Sequence, residues 1–279
     1  MFGEKNRGIW AWVGSLGFRE DDDRWVHKCG STLISRNFLL SSAYCAQQMD
    51  PTWKVRLGDR NLTNPRDDKY VEEKSLVLPA AIHDQYERVD DNGEKEVQSV
   101  YFDVAVVKLS SPVTQNPGVK PICLPEVPNW SFIDKYAGHT VYLQGWGETQ
   151  RNGGDVKDIL LYQTVTIVDQ KQCNESYNLV RSQGQIRYKR DKLLPRLLQE
   201  SIICASGLEG AAACPDDAGG PIAKLRPNDD RFVQLGIASA SLGNCASIRY
   251  PALYARLDYP SILYFIAKKA LLLEQEKGI

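Results

Sequence analysis

The sequence predicts an all-β protein that ends in one α-helix. Short runs alternate apolar and polar residues, as in Lys54–Leu57, which is typical of strands with one buried face. Residues 141–144 (Val-Tyr-Leu-Gln) repeat the alternation, and Asn152–Gly154 supplies turn residues between such runs. This pattern predicts antiparallel sheets and leaves open whether they form a sandwich or a barrel.

The last predicted element is a helix over Ser261–Leu273. Its apolar residues recur at helical spacing and fall on one side, with Lys268 and Lys269 between them. Ser261 follows Pro260 and is expected to cap the helix, since a serine hydroxyl accepts a free backbone N–H at that position. The apolar side consists of Ile262, Leu263, Phe265, Ile266 and Ala270.

Composition restricts the class of protein. The chain has 279 residues, of which 43% are hydrophobic, enough for two domains or one large β unit with a substantial core. A net charge of −1 gives no overall attraction to nucleic acid or to membranes. No apolar run is long enough to predict a membrane span, and no signal-peptide pattern begins at Met1, so we expect any secretion signal to be encoded upstream. No cluster of metal ligands stands out, and no cofactor is expected.

Several short motifs occur in a fixed order. Leu40–Cys45 reads L-S-S-A-Y-C, Phe102–Leu109 reads F-D-V-A-V-V-K-L, and Cys214–Pro221 reads C-P-D-D-A-G-G-P. Other motifs of the same set are Trp10–Leu16, Cys29–Ile34, Pro121–Pro125, Gly145–Gly147 and Pro251–Leu257. In this order and spacing they resemble the trypsin and chymotrypsin type of serine protease domain, from about Gly8 to about Lys269.

The resemblance implies a fold of two antiparallel six-stranded β-barrels followed by a C-terminal helix. It assigns residues 1–120 to the first barrel, 121–260 to the second and 261–274 to the helix, all within a single domain of residues 1–279. The family packs this helix on its second barrel, and the same is expected here.

The residues that would carry catalysis differ from the family pattern. The family uses a serine that attacks, a histidine that takes its proton and an aspartate that orients the histidine. Ala218 stands at the serine position and Tyr44 at the histidine position, while Asp103 is retained. A methyl group cannot attack, and a phenol, with a reference pKa of about 10, is a poor base at neutral pH. Asp103 then accepts a hydrogen bond from Tyr44 or is simply hydrated.

The oxyanion and specificity positions are altered as well. Asp216 replaces the glycine whose N–H helps to bind the oxyanion, where a side chain disfavours the glycine conformation and a carboxylate opposes negative charge. Ala212 stands where trypsin-like relatives have the aspartate that recognises arginine or lysine. The side chains expected to narrow or fill the pocket are Ser239, Ala240, Ser241 and Ala252. With an intact triad, such a pocket would suit a relaxed, elastase-like protease.

Three residues match a cluster that zymogens of this family hold away from the active site: Ser15, His27 and Asp217. The chain begins Met1-Phe2-Gly3 and lacks the N-terminal isoleucine that releases the aspartate in active enzymes. The resemblance therefore predicts that Asp217 pairs with His27 and that the loop stays zymogen-like. The alternative is that Asp217 meets another donor or water.

The cysteines indicate an extracellular protein. Seven are present, and the resemblance implies the pairs Cys29–Cys45, Cys173–Cys204 and Cys214–Cys245. Three bridges require an oxidising compartment, which predicts a secreted protein. Sequons of the form N-x-S/T begin at Asn61, Asn129 and Asn174 and agree with secretion.

Cys123 is left without a partner in this scheme. In multidomain relatives the cysteine of the matching motif bridges to a segment N-terminal to the protease domain. We therefore expect a propeptide or regulatory module joined through Cys123, as in complement, coagulation and arthropod clip-domain proteases. The alternative is a free thiol.

Two segments look enlarged against the family. Residues 87–101 are mainly acidic, and residues 177–198 are mainly basic. Charge runs are usually solvated faces, but the second segment is also a candidate site for a polyanion such as a glycosaminoglycan. Alternatively, its Lys-Arg pair is a processing site. The basic residues singled out for polyanion binding are Arg187, Lys189, Arg190 and Lys192.

Together these observations predict a catalytically inactive, secreted serine protease homologue. It would act as a cofactor, adaptor or decoy in an extracellular proteolytic cascade, with a protein as its partner. A ligand-carrying or scaffold protein of the haptoglobin type is the alternative. A protease inactivated by design is disfavoured, because one substitution would suffice, whereas Tyr44, Asp216 and the altered pocket depart from the family pattern as well.

Overall fold

The strands of the computed structural model form two closed barrels. It describes residues 4–5, 10–64, 69–86, 88–90, 96–98, 101–126, 134–147, 158–182, 200–207, 213–241 and 250–275. The strands are β1 (Glu4–Lys5), β2 (Val13–Arg19), β3 (Trp25–Leu33), β4 (Phe38–Ser41), β5 (Lys54–Leu57), β6 (Glu72–Ile82), β7 (Arg88–Asp90), β8 (Glu96–Gln98), β9 (Ala105–Leu109), β10 (Thr140–Gly145), β11 (Leu161–Val168), β12 (Ile202–Ser206), β13 (Pro221–Leu225), β14 (Phe232–Ala240) and β15 (Ala252–Arg256). The helices are α1 (Ala43–Ala46), α2 (Gln170–Ser182) and α3 (Pro260–Gln275).

The first barrel follows the order β2-β3-β4-β9-β6-β5 and closes where β5 pairs with β2. The second follows β11-β10-β13-β14-β15-β12 and closes where β12 pairs with β11. All of these pairings are antiparallel, so the predicted fold class is confirmed. β7 and β8 form a separate two-stranded sheet within the enlarged acidic segment.

The alternation in the sequence places the core side chains as predicted. Val141 and Leu143 on β10 are fully buried in the second barrel, and Val55 and Leu57 on β5 are fully buried in the first. Arg56 departs from the pattern, because it is only 1% exposed despite lying between these two apolar residues. A buried charge needs a partner, and Arg56 pairs with Asp59 at 2.6 Å.

Two boundaries differ from the sequence-based assignment. Glu4–Lys5 was assigned to the first barrel, but it pairs with Leu161 and Tyr162 of β11 at the edge of the second. Helix α3 begins at Pro260, so Ser261 lies inside the helix and is not its cap. Proline suits the first helical position because its missing N–H would be unpaired there in any case.

Helix α3 ties the two barrels together. Its buried side chains Ile262, Phe265 and Ile266 share one apolar cluster with Leu40 of the first barrel and Ile237 of the second. The helix thus packs on the second barrel, as expected, and on the first barrel as well. Burying each of these large side chains stabilises the fold by about 1.5–3 kcal/mol. No helix in the described part of the chain has the length and apolar character that a membrane span requires.

Candidate active-site cleft

The three triad positions meet where the barrels join. Tyr44 lies on α1, which Ser42 caps by accepting the Cys45 N–H at 3.1 Å. Asp103 precedes β9, and its Oδ1 accepts the Tyr44 backbone N–H at 2.9 Å. Ala218 comes from the second barrel, and its carbonyl oxygen lies 3.5 Å from Cys45 Sγ. The fold thus brings these positions together although Tyr44 and Ala218 are 174 positions apart in the sequence.

Asp103 is buried and has protein partners on both oxygens. It is 1% exposed, and Oδ2 accepts the Ser239 hydroxyl at 2.6 Å. Burial raises the pKa of Asp103 to about 6, against the opposing effect of hydrogen bonds from Ser239, Tyr44 and Ala43. The sequence left open whether Asp103 accepts a hydrogen bond from Tyr44 or is simply hydrated. The hydrogen bond from Tyr44 is present, but its donor is the backbone amide. The Tyr44 hydroxyl has no hydrogen-bond partner in the described part of the chain.

The residue before Asp103 adopts an unusual backbone conformation. Phe102 has a φ of 52°, in the left-handed region that costs an L-residue about 1–2 kcal/mol. Phe102 is held by packing, since its ring stacks on His83 with centroids 4.8 Å apart.

Ala218 presents a methyl group at the nucleophile position. It is 7% exposed and belongs to the core cluster of the first barrel. Its carbonyl accepts the Gly30 N–H at 2.8 Å, and Gly219 next to it has a φ of +82°. A Cβ at Gly219 would lie 2.4 Å from the Gly30 carbonyl oxygen, so the close approach of β3 requires glycine here.

Asp216 lies in a 3₁₀ turn over Pro215–Asp217. Its φ is not left-handed, so the expected conflict between a side chain and the glycine conformation does not arise in this turn. Burial raises the pKa of its carboxyl, and Lys28 lowers it. A partly buried carboxylate therefore stands at the position of the oxyanion donor.

The predicted pair between His27 and Asp217 is not formed. His27 Nδ1 meets Ser15 Oγ at 2.7 Å, and His27 Nε2 donates to the Asp216 carbonyl at 3.0 Å. Ser15 Oγ already accepts the Trp25 indole N–H at 2.8 Å, so its own proton points to His27. This series requires a neutral imidazole, and burial lowers the pKa of His27 to about 4. Because the imidazole is neutral, it offers no cation to Asp217.

Asp217 finds backbone donors instead. Its two carboxylate oxygens accept the N–H groups of Gly147 and Cys214, each at 2.9 Å. Burial raises its pKa to about 6, which these hydrogen bonds oppose. Gly147 leaves space for the carboxylate, since a Cβ there would lie 2.2 Å from Asp217 Oδ2. Asp217 therefore binds backbone donors rather than His27, which is the alternative that the sequence left open. Of the predicted zymogen-like cluster, only Ser15 and His27 contact each other.

The pocket positions are placed in part. Ser239 faces Asp103, Ala240 and Ser241 are partly buried, and Ala252 is fully buried in the second barrel's core. Ala212 lies outside the described residues. Ala252 thus belongs to the same core cluster as Ala213, Ala238 and Tyr254.

The structure contains disulfides Cys29–Cys45 and Cys173–Cys204, the first two pairs that the resemblance implies. Cys214 is also disulfide-bonded, and its expected partner Cys245 lies outside the described residues. Cys123 is a free, partly buried thiol, with Sγ 3.9 Å from a guanidinium nitrogen of Arg226.

The candidate polyanion residues Arg187, Lys189, Arg190 and Lys192 lie outside the described residues. No group of three or more potential metal ligands occurs in the part of the chain that the structure describes.

Sequence reasoning missed three contributors to this cleft. Trp25 fixes the direction of the Ser15 proton, Gly147 receives the Asp217 carboxylate, and Ser239 binds Asp103 rather than only lining a pocket. Gly147 and Ser239 were visible as members of motifs. Nothing in the local sequence marks Trp25.

The chain is similar in sequence to known proteins. The family profile described as Trypsin matches residues 3–265. Venom serine protease Bi-VSP of Bombus ignitus is 28% identical over 258 residues, which cover 90% of this chain and 62% of that protein. CLIP domain-containing serine protease B4 of Anopheles gambiae is 24% identical over 251 residues, which cover 88% and 63%.

The structure is also similar to that of neuropsin, a serine protease expressed in the limbic system of mouse brain. The TM-score is 0.68 at 21% identity, with 97% of this chain and 98% of that one covered, a likeness that speaks for the fold alone. The chain spans 62% and 63% of the length of the two curated relatives above. With a profile match over residues 3–265 and the barrels described above, the chain belongs to the trypsin family of serine protease domains.

Proposed function

We propose that this trypsin-family domain is a pseudoprotease that binds a protein partner without cutting it. The single observation that carries the proposal is the loss of both reactive groups, at Ala218 and Tyr44, from a site whose surroundings are kept. Asp103, the Cys29–Cys45 bridge and the glycine turn after Ala218 still hold the cleft together.

Neighbouring hydroxyls offer no ready replacement for the missing nucleophile. Ser41 and Ser42 are fully buried, and the Ser41 hydroxyl donates to the Gly30 carbonyl at 2.9 Å. Ser42 Oγ caps α1, and Ser239 donates its proton to Asp103. Without a nucleophile and a matched base, no acyl-enzyme forms.

Asp216 adds an electrostatic obstacle to hydrolysis. Donors aimed at a developing oxyanion are worth about 3–4 kcal/mol each in related sites. At this position the chain carries a partly buried carboxylate instead, with only Lys28 acting to lower its pKa. A negative transition state would therefore be repelled where the family stabilises it.

Covalent labelling tests the loss of catalysis. The wild-type protein should neither react with a fluorophosphonate probe nor cleave a panel of chromogenic peptides. The variant Y44H/D216G/A218S restores all three groups and should gain labelling at residue 218, while the matched control Y44F/D216G/A218S should not. A probe adduct on any serine of the wild-type cleft would overturn the proposal.

The retained frame points to a regulatory role in an extracellular proteolytic cascade, as cofactor, adaptor or decoy. Supporting this are the disulfides, which need an oxidising compartment, and a relative named for a CLIP domain. Cys123 would join an N-terminal module by a further disulfide, because its thiol is unpaired and partly exposed.

Two experiments on the natural full-length protein test this role. Affinity capture should retain a protease or its zymogen, whereas capture of a small ligand or a non-protease carrier partner would favour a haptoglobin-like scaffold. Peptide mapping without reduction should find Cys123 in a disulfide. Quantitative alkylation of Cys123 in the unreduced protein would contradict the linked module.

A further inference from the structure

Basic side chains surround Tyr136 on the surface of the second barrel. The Lys135 ammonium nitrogen lies 4.9 Å from the centroid of the Tyr136 ring, and the Lys224 nitrogen lies 5.9 Å from it. The His139 ring is the third basic group, with its centroid 6.0 Å from that of Tyr136. The whole chain has a net charge of −1, so this positive charge is a local feature. We call these four residues the Tyr136 cluster.

Within the Tyr136 cluster, Lys224 binds His139 directly. Its Nζ lies 2.9 Å from His139 Nδ1, and because an ammonium group only donates, Nδ1 accepts. The imidazole is therefore neutral, and burial and the charge of Lys224 both lower its pKa. This hydrogen bond orients the ammonium group and uses one of its three N–H groups, so the other two are available to a ligand.

No carboxylate of the described residues forms an ion pair with either lysine of the cluster. The nearby acidic groups have other partners. Asp134 Oδ1 accepts the Gln170 backbone N–H at 2.9 Å. Asp258 is 1% exposed and binds the Arg256 guanidinium. Two ammonium groups are thus left without an anionic partner from this part of the chain.

The backbone that carries the cluster is fixed before any ligand binds. The Gly138 N–H donates to the Ile167 carbonyl at 2.8 Å, and the Ile167 N–H donates to the His139 carbonyl at 3.0 Å. Inside the turn, the His139 N–H donates to the Tyr136 carbonyl at 2.9 Å. Lys224 comes from β13, which pairs with β10 directly after this turn. Such preorganisation lowers the entropic cost of binding.

We infer that the Tyr136 cluster binds a tetrahedral oxyanion, a sulfate or phosphate group. Such a group combines negative charge with several acceptor oxygens, which suits two ammonium groups that only donate. Lys224, oriented by His139, donates from the barrel, and Lys135 turns toward the anion on its flexible stem. The chemistry is the same for a free ion and for a sulfate carried on a sugar. No residue of the active-site cleft takes part, so the inference is independent of the proposed function.

NMR titration of the full chain at constant ionic strength tests the inference, with the His139 imidazole as reporter. The probes are inorganic sulfate, inorganic phosphate and glucose 6-sulfate, and chloride is the blank. We expect a saturable shift of the His139 signals. With sulfate the pKa of His139 should also rise, because a bound anion offsets the Lys224 charge that helps to lower it. If no probe shifts His139 more than chloride does, the inference is wrong. Tighter binding of glucose 6-sulfate than of inorganic sulfate would identify a sulfated sugar as the carrier, and the reverse order a free ion.

Variants locate the bound anion. K224Q and K135Q should each weaken sulfate binding by about tenfold, as expected for the loss of one charge-assisted hydrogen bond. Lys135 is exposed, so K135Q decides the question even if K224Q disturbs the barrel. The matched control is K268Q, because Lys268 also lies over a tyrosine ring, that of Tyr264 at 6.0 Å, with no other lysine over that ring among the described residues. K268Q should leave the affinity nearly unchanged. An unchanged affinity in folded K224Q or in K135Q would overturn the inference.

The positioning role of His139 is tested by calorimetry with sulfate. H139Q places an amide oxygen where the imidazole nitrogen accepts from Lys224, whereas H139A offers no acceptor. H139Q should therefore retain more of the wild-type affinity than H139A does. Equal affinities of the two variants would show that His139 does not orient Lys224.

Discussion

Replacing Asp103 with asparagine should remove a loss of stability that the wild-type protein undergoes as the pH rises. The carboxyl is 1% exposed, and its pKa is raised from 3.8 to about 6 by burial. A group whose pKa is higher in the folded than in the unfolded state contributes stability at low pH that is lost as the pH rises through the folded value. Wild-type protein should therefore lose stability from this group between about pH 4 and pH 7, a loss that asparagine avoids.

The size of the effect follows from the pKa shift. About two units correspond to about 3 kcal/mol, since each unit is worth 1.36 kcal/mol. The asparagine oxygen retains the Tyr44 N–H, and its NH₂ donates to Ser239, whose hydroxyl turns from donor to acceptor. The free energy of unfolding of D103N, relative to wild type, should thus rise by about 3 kcal/mol from pH 4 to pH 8.

Urea unfolding at several pH values, followed by tryptophan fluorescence, measures this difference. The matched control is D217N, because Asp217 is equally buried and its pKa is also raised to about 6. Both partners of Asp217 are backbone N–H groups, which cannot become acceptors. D217N should show the same dependence on pH, but its free energy of unfolding should be lower than that of D103N at every pH, by the cost of an unpaired buried donor, about 1–3 kcal/mol. A stability difference for D103N that is constant from pH 4 to pH 8 would refute this reasoning.

Three further results are expected. G147A should lower the free energy of unfolding, measured with urea, by about 3 kcal/mol, because its Cβ would lie 2.2 Å from a buried carboxylate oxygen of Asp217. The control G138A has open space around the Cβ and a φ of +77°, so it should lower the free energy of unfolding by only about 1–2 kcal/mol. Equal losses would contradict the packing argument. The pKa of His27 is lowered from 6.5 to about 4, so the imidazole should remain neutral in NMR titrations down to pH 5. The free energy of unfolding should fall by up to about 3 kcal/mol as the pH falls from 6.5 to about 4, because the unfolded chain binds the proton first. A His27 that titrates near pH 6.5 would exclude the neutral network. Replacing Cys173 and Cys204 by serine should cost about 3–4 kcal/mol for a bridge spanning 31 residues, and an unchanged urea midpoint would refute that estimate.

The barrel strands could be predicted because their signal is local. In β5 and β10 the alternation alone identifies which side chains enter the core, and the family motifs supply the order in which strands pair. Arg56 shows the limit of this approach. The strand alternation predicts that the Arg56 side chain is exposed to solvent. In the structure it is buried, and the folded chain places the Asp59 carboxylate beside it as its ion-pair partner.

The sequence predicted which residues lie in the cleft, but not which groups they bind. Motifs located Asp103, Asp216 and Asp217, yet their partners depend on which backbone amides the folded loops turn toward them. Asp103 and Ser239 are 136 residues apart, and no local pattern announces their hydrogen bond. The pair expected for His27 was wrong because the imidazole's neutral state depends on a series of hydrogen bonds that begins at Trp25.

That series also joins the two barrels in a way that dissolved ions do not disturb. The indole has only a proton to give and the Asp216 carbonyl has only lone pairs, so all protons along it run in one direction, from the first half of the molecule to the second. Exposed ion pairs such as that between Arg24 and Glu20 weaken in concentrated electrolyte. The hydrogen-bonded link from Trp25 to Asp216 carries no net charge, so salt does not screen it. Its contribution to joining the two barrels should therefore not depend on ionic strength.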